Sequence, residues 1–265
     1  MTESAIELHY RESGDPEGQP LILLHGLFGS SANWMGIARR LESDWRIIIP
    51  DLRNHGRSPH ADSMSYPRMA EDLVALMDRL EISTTNLVGH SMGGKLAMVL
   101  AVQNGERVNK LVVADAAPVG YAHRFDAIFS GLQAIRLDLL TSRQEAEQIL
   151  AESVASNETR QYLLQNLAKQ SGAWSWRFNL AALASEIETI AGFPELAGQS
   201  FPGDVLFIYG GNSSYVQAEY LPAIREVFPF ARMRMLAGAG HWVYAEQPEQ
   251  FTQAMKTFLK TGEKS

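Results

Sequence analysis

The chain has 265 residues, 46% hydrophobic and 20% charged, enough apolar material for one large domain or for a core domain carrying an insertion. A net charge of −7, a pI near 5.5 and the absence of any basic run argue against nucleic acid and anionic membrane as partners, because phosphate contacts need clustered Lys and Arg. The absence of cysteine excludes disulfides, thiolate catalysis and cysteine-based metal sites. Residues 1–10 have neither a basic start nor an apolar stretch, and no run of about 18 apolar residues occurs. No secretory leader or membrane span is therefore expected, and the cytoplasm is the expected compartment.

In chain order, short apolar runs alternate with amphipathic ones. Leu21–Leu24 ends at His25-Gly26, Arg46–Ile49 at Pro50-Asp51, Asn86–Val88 at Gly89 and Lys110–Ala114 at Asp115. Each has the length of a buried strand and stops at a residue that breaks one. Between them, Ser31–Leu41, Met69–Leu80 and Lys95–Gln103 read as helices; in the second, Met69, Leu73, Leu76, Met77 and Leu80 share one face. Strands that are solidly apolar and alternate with helices imply a mostly parallel sheet covered on both sides. From Pro118 to about Ser200 no strand run is evident. Phe125–Leu140, Arg143–Val154, Glu158–Lys169 and Asn179–Glu188 read as helices. Alternation resumes with a strand at Val205–Tyr209, a helix at Ala218–Val227, a strand at Arg232–Leu236 and a last helix at Glu249–Leu259. The expected organisation is a core of residues 1–117 and 201–265, with residues 118–200 inserted as a helical cap.

Three motifs carry chemistry. Gly89-His90-Ser91-Met92-Gly93 fits G-x-S-x-G between a strand and a helix, a known signature of a nucleophile elbow. The sharp reversal lifts the Ser91 hydroxyl clear of the backbone, places it near the positive end of the helix dipole, and leaves no room for side chains at Gly89 and Gly93. His25-Gly26-Leu27-Phe28-Gly29 follows a strand and can supply an amide to an oxyanion, Leu27 first and Phe28 second, alongside the amide of Met92. Gly238-Ala239-Gly240-His241-Trp242 follows a late strand. Of seven histidines, only His241 stands in such a loop C-terminal to Ser91; a serine hydroxyl needs an imidazole to take its proton. His25 and His90 read as residues that hold loops in place, and the others as surface or loop residues.

Together with Pro50-Asp51-Leu52-Arg53-Asn54-His55-Gly56-Arg57-Ser58, these motifs resemble the α/β-hydrolase superfamily over nearly the whole chain outside the cap. Asp51–Ser58, Asp115-Ala116-Ala117-Pro118 and Gly210-Gly211-Asn212-Ser213 look closest to bacterial YbfF-type esterases, which act on acyl esters and acyl-CoA thioesters. The resemblance implies an α/β fold with a mostly parallel eight-stranded sheet, an inserted helical cap and a serine hydrolase working through an acyl-enzyme on Ser91. Its commonest acid position, the loop after Val205–Tyr209, holds no carboxylate here. Asp115, on the same carboxyl edge, resembles the YbfF-type alternative and is assigned as the acid; its competing role is to anchor the cap hinge. Asp204 lies at the wrong edge, and Asp51 reads as structural.

A small acyl ester or thioester is thus the expected partner, with no metal and no organic cofactor. Phe28 and Trp242 are expected to wall the acyl site and Arg124 to meet an anionic group, with Arg53 and Arg57 as further candidates. Phe125, Ile128, Phe129, Leu132, Trp174, Trp176 and Phe178 could line it from the cap. The same three residues could serve carbon–carbon bond hydrolysis, lactone opening or perhydrolysis, and a non-catalytic ligand-binding use of the fold is a third reading.

Overall fold

A computed structural model describes residues 4–122, 125–196 and 198–261. Strands β1 (Tyr10–Gly14), β2 (Gln19–Leu24), β3 (Trp45–Pro50), β4 (Thr85–His90) and β5 (Val108–Ala114) are interleaved with helices α1 (Met35–Ala38), α2 (Tyr66–Arg79) and α3 (Met92–Gln103). Between β5 and the next strand of the main sheet come helices α4 (Asp126–Ala134), α5 (Arg143–Ala151) and α6 (Asn157–Leu164). They are followed by a hairpin of β6 (Leu167–Gln170) and β7 (Ala173–Trp176), then α7 (Leu180–Ser185) and α8 (Ile187–Ala191). The chain returns to the sheet as β8 (Asp204–Gly210), then α9 (Leu221–Val227), β9 (Arg232–Leu236), α10 (Val243–Glu246) and α11 (Pro248–Lys260).

The main sheet has the order β1-β3-β2-β4-β5-β8-β9; β1 runs antiparallel to β3 and the other pairs are parallel. Among the described residues it has seven strands, where eight were expected. Residues 4–9 form no strand: Ile6 N–H donates to Asp72 and His9 N–H to Ser58, while His9 O accepts Asp51 N–H. Successive side chains of each central strand enter opposite cores. Ile22, Leu24, Leu87, Leu111, Val113 and Phe207 pack on the face covered by α2 and α3, while Leu21, Leu23, Val88, Val112, Leu206 and Ile208 pack with Phe251, Met255 and Phe258 of α11. That two-sided burial is why these strands read as solid apolar runs.

The hairpin β6–β7 departs from the expected helix over Glu158–Lys169, which ends at Leu164. Its turn is Ser171-Gly172, both at positive φ (51° and 86°), the backbone that a two-residue hairpin with the right-handed strand twist needs. No helix among the described residues is long and apolar enough to cross a membrane.

The register of the parallel strands positions the chemistry. Gly89 pairs with Leu24 and Val113, His90 with Ala114, Ala114 with Ile208, and Gly210 with Leu236. The residues that follow these strand ends therefore collect at one carboxyl edge.

Candidate active site

Ser91 and Asp115 extend the ladders by one rung beyond their strands. Ser91 N–H donates to Ala114 O at 3.0 Å and Asp115 N–H to Ile208 O at 2.9 Å. Both residues turn at positive φ, 53° and 49°, so the chain leaves the sheet abruptly at each. Such geometry in a non-glycine residue costs about 1–3 kcal/mol and persists only where the surroundings fix it. At the Ser91 elbow they do. A Cβ on Gly89 would lie 2.1 Å from Gly93 O, and one on Gly93 would lie 2.5 Å from His25 O and 2.6 Å from Leu24 O. Ser91 caps α3, and Met92 is that helix's first residue, so its amide is among those an α-helix leaves without an intrahelical acceptor.

Asp115 is fully buried, and its carboxylate accepts three donors. His241 Nδ1 lies 2.6 Å from Oδ2, Ser213 Oγ donates to Oδ2 at 2.5 Å, and Gly210 N–H donates to Oδ1 at 3.1 Å. With Nδ1–H held by Asp115, the lone pair of His241 Nε2 is free on the opposite side of the ring. Tyr215 stacks on the imidazole at 4.0 Å and 20°. Glu246 clamps the His241 loop from both sides, accepting Gly240 N–H at 2.6 Å and Trp242 N–H at 3.0 Å.

Three buried histidines are structural, and each is held neutral. Burial lowers the pKa of His25, of His55 to about 3, and of His90 well below the usual range; for His55 the neighbouring His25, and for His90 the neighbouring His241, add to the effect. His25 Nδ1–H donates to Gly26 O at 2.8 Å, and its Nε2 accepts Leu52 N–H at 3.0 Å. His55 Nδ1–H donates to Arg53 O at 2.9 Å, and its Nε2 accepts Phe28 N–H at 3.1 Å. His90 Nε2–H donates to His241 O at 2.9 Å. In each case a carbonyl acceptor selects the protonated nitrogen. Between the two oxyanion candidates of the first loop, the Phe28 amide is thereby occupied by His55. The Leu27 amide belongs to the peptide whose carbonyl, Gly26 O, is fixed by His25.

Ser91, Met92, Gly26, Leu27, His241 and Trp242 line one cavity of about 550 Å³. Residues 118–200 contribute Tyr121, Phe125, Ile128, Thr159, Tyr162 and Ile190 to it. Other expected residues lie elsewhere. Phe28, at φ 60°, turns into the core against Phe129 and Phe178 with ring centroids at 5.5 and 5.2 Å, so it is packing and not a wall of this cavity. Leu132 is likewise buried in the core, and Trp174 and Trp176 pack against it. Arg53 is buried and forks onto Asp72 at 2.7 and 2.9 Å, which removes it from any substrate. Arg57 is not among the lining residues, and Arg124 lies outside the described residues. Asp51 accepts Ser31 N–H at 2.6 Å and Arg57 N–H at 3.0 Å, a loop-bracing role.

Sequence reasoning missed Lys95, one helical turn beyond Ser91. It is buried, donates to Ala191 O at 2.6 Å and Gly192 O at 2.7 Å, and lies 4.2 Å above the Tyr121 ring. Burial brings its pKa down to about 7. A charged residue in an otherwise apolar α3 was the available signal. Ser213, Tyr215 and Glu246 carried none, because their roles arise only when distant loops meet.

The sequence pattern of the alpha/beta hydrolase fold family matches residues 19–248. The chain is 40% identical to the esterase YbfF of Escherichia coli over 91% of its own length and 92% of that protein's. It is 38% identical to the sn-1-specific diacylglycerol lipase ABHD11 of Xenopus laevis, over 94% and 82% of the two lengths. Among solved structures, that of a marine microorganism esterase superposes with a TM-score of 0.92 at 37% identity, covering 96% of this chain and all of that one.

Proposed function

The chain belongs to the α/β-hydrolase family and is a carboxylesterase-type hydrolase, and we propose that it works through Ser91 as nucleophile, His241 as general base and Asp115 as the acid that orients it. The amides of Leu27 and Met92 form the oxyanion hole. Residues 118–200 act as a cap over the carboxyl edge, with residues 1–117 and 201–265 as the core. The observation that carries the reading is the 2.6 Å bond from His241 Nδ1 to a buried, three-donor Asp115, with His241 lining the same cavity as a serine at a glycine-flanked elbow.

In this reading His241 Nε2 takes the Ser91 proton as Oγ attacks the ester carbonyl. The carbonyl π electrons move to oxygen, which the two amides meet with preset donors in place of reorienting water. Collapse breaks the acyl–oxygen bond, and the imidazolium gives its proton to the departing alcohol. Water, deprotonated by His241, then attacks the acyl-enzyme, and the second collapse returns the proton to Ser91 Oγ as the acid leaves. Asp115 keeps Nδ1 protonated and faces the imidazolium charge throughout.

Oxygen esters rank ahead of acyl-CoA thioesters. The relatives' names support this order, an esterase in Escherichia coli and a diacylglycerol lipase in Xenopus laevis, both oxygen-ester enzymes by name. The cavity volume suits short and medium acyl chains. The test is a chain-length series of p-nitrophenyl esters and acyl-CoAs with wild type and Ser91→Ala. The expected result is higher kcat/KM on esters of short to medium chain and no turnover by the variant. More than a few per cent residual activity in Ser91→Ala would remove Ser91 as nucleophile, and faster turnover of acyl-CoAs would reverse the substrate ranking.

A further inference from the structure

The loop 26–29 is held from two directions. From the core, His25 fixes Gly26 O, His55 accepts Phe28 N–H, and Gly29 N–H donates to Gly26 O at 3.0 Å. From residues 118–200, the Tyr162 hydroxyl on α6 donates to Leu27 O at 3.1 Å, and Asn166 Nδ2, just past that helix, donates to Phe28 O at 2.7 Å.

A peptide group is a rigid plane, so holding its carbonyl oxygen and its N–H together fixes its orientation. The Leu27–Phe28 plane is gripped at both ends, by Tyr162 at Leu27 O and by His55 at Phe28 N. That plane shares the Leu27 Cα with the preceding one, which carries the Leu27 N–H. Without the phenol, one end of the grip is gone, and the Gly26–Leu27 plane, still held at Gly26 O by His25 and Gly29, loses the brace that fixes its tilt through Leu27 Cα. Tyr162 comes this close because position 29 is glycine; a Cβ there would lie 2.9 Å from its hydroxyl. Its ring also packs against Trp242 at 5.3 Å, beside His241. Burial raises its pKa, so the phenol remains a hydrogen-bond donor at all working pH values.

We propose that Tyr162, assisted by Asn166, is a positioning residue for the oxyanion hole, so that the hole is fully ordered only when α6 is seated on the loop. The proposal rests on the reading of Leu27 N–H as an oxyanion donor. It makes residues 118–200 part of the catalytic geometry as well as a wall of the cavity.

The test compares wild type, Tyr162→Phe, Asn166→Leu and Ser91→Ala, as full-length chains, on a p-nitrophenyl ester and its thionoester. Sulfur in place of the carbonyl oxygen accepts hydrogen bonds poorly, so the ester-to-thionoester rate ratio reports how well the hole is formed. For Tyr162→Phe the expectation is a fall in kcat of about tenfold, below the 10²–10³ of losing an oxyanion donor outright, with KM within about twofold. The ratio should fall by a similar factor. Asn166→Leu should move both quantities the same way and decides the matter should the phenylalanine variant fold poorly. Unchanged kcat, or reduced kcat at an unchanged ratio, overturns the proposal. Persistent turnover by Ser91→Ala would instead overturn the underlying assignment of the nucleophile.

Discussion

Asp115→Asn isolates the electrostatic role of the acid with almost no change of shape. The carboxylate has three donors on it, two at Oδ2 and one at Oδ1. An asparagine must put its NH2 at one of those positions. At Oδ1 it would face Gly210 N–H, donor against donor, with a backbone that cannot turn away. At Oδ2 it meets Ser213 Oγ, which can rotate to accept, and His241 Nδ1, which can accept only by giving up its proton to Nε2. The second arrangement wins, because a buried donor facing a donor costs about 1–3 kcal/mol. The imidazole is then locked in the tautomer whose Nε2 cannot take the serine proton. Neutralising a triad acid in this way costs about 10⁴ in kcat, or about 5 kcal/mol at 1.36 kcal/mol per factor of ten. The measurement is p-nitrophenyl butyrate hydrolysis near pH 8 under saturating substrate, with thermal unfolding to show that the variant is folded. A loss of tenfold or less would mean that His241 keeps its working tautomer without this carboxylate, and the acid would have to be sought elsewhere.

Gly89→Ala drives a Cβ to 2.1 Å from Gly93 O and should cost more than about 4 kcal/mol in urea unfolding or yield insoluble protein, whereas Gly36→Ala, with nothing within 4 Å, should be neutral or stabilising. Lys95 has its pKa lowered to about 7 from 10.5 by burial, so between those values the unfolded chain binds more protons and stability should rise with pH, by at most about 1.4 kcal/mol per unit. The difference in unfolding free energy between wild type and Lys95→Met should therefore shift in favour of wild type from pH 7 to 9, and a flat difference would show the ammonium held charged by its carbonyls and Tyr121. His25, His55 and His90 also have lowered values, so their stabilisation is complete above pH 6.5 and is lost as pH falls toward about 3 for His55; urea midpoints should drop steeply below pH 6, and less so in His55→Gln.

What the sequence made legible, and what it did not, divides by the range of the interaction. The cores of β2 to β5 and β8 are readable because two-sided burial demands consecutive apolar residues. β1 is not readable: it is an edge strand, mostly exposed, and Tyr10–Gly14 carries no apolar run. The β6–β7 hairpin hid behind a helical reading although Ser171-Gly172 is a turn signal, since four-residue strands with mixed polarity leave no period to detect. At the site, the elbow was legible because its glycines answer a local clash. Tyr162, Ser213 and Glu246 were not, because a hydroxyl or carboxylate reaching a loop far away in sequence leaves no local pattern. Phe28 was placed wrongly for a backbone reason: its positive φ points the ring into the core while its neighbour Leu27 faces the cavity.

The loop after β8 lacks a carboxylate, yet it has not left the site. Asp115 stands one rung beyond Ala114, whose ladder partner is Ile208, so the end of β5 and the start of that loop are adjacent by register. The loop supplies Gly210 N–H and the Ser213 hydroxyl, two of the three donors on Asp115. A fully buried carboxylate without them would be left with unsatisfied lone pairs and a looser hold on His241. Two segments thus share one function: the residue after β5 supplies the carboxylate, and the loop after β8 holds it in place. Removing either half should weaken the hold on the imidazole in the same way, and for that reason the proposed triad extends beyond three side chains. The backbone amide of Gly210, which no side-chain substitution deletes, belongs to it as much as Asp115 does.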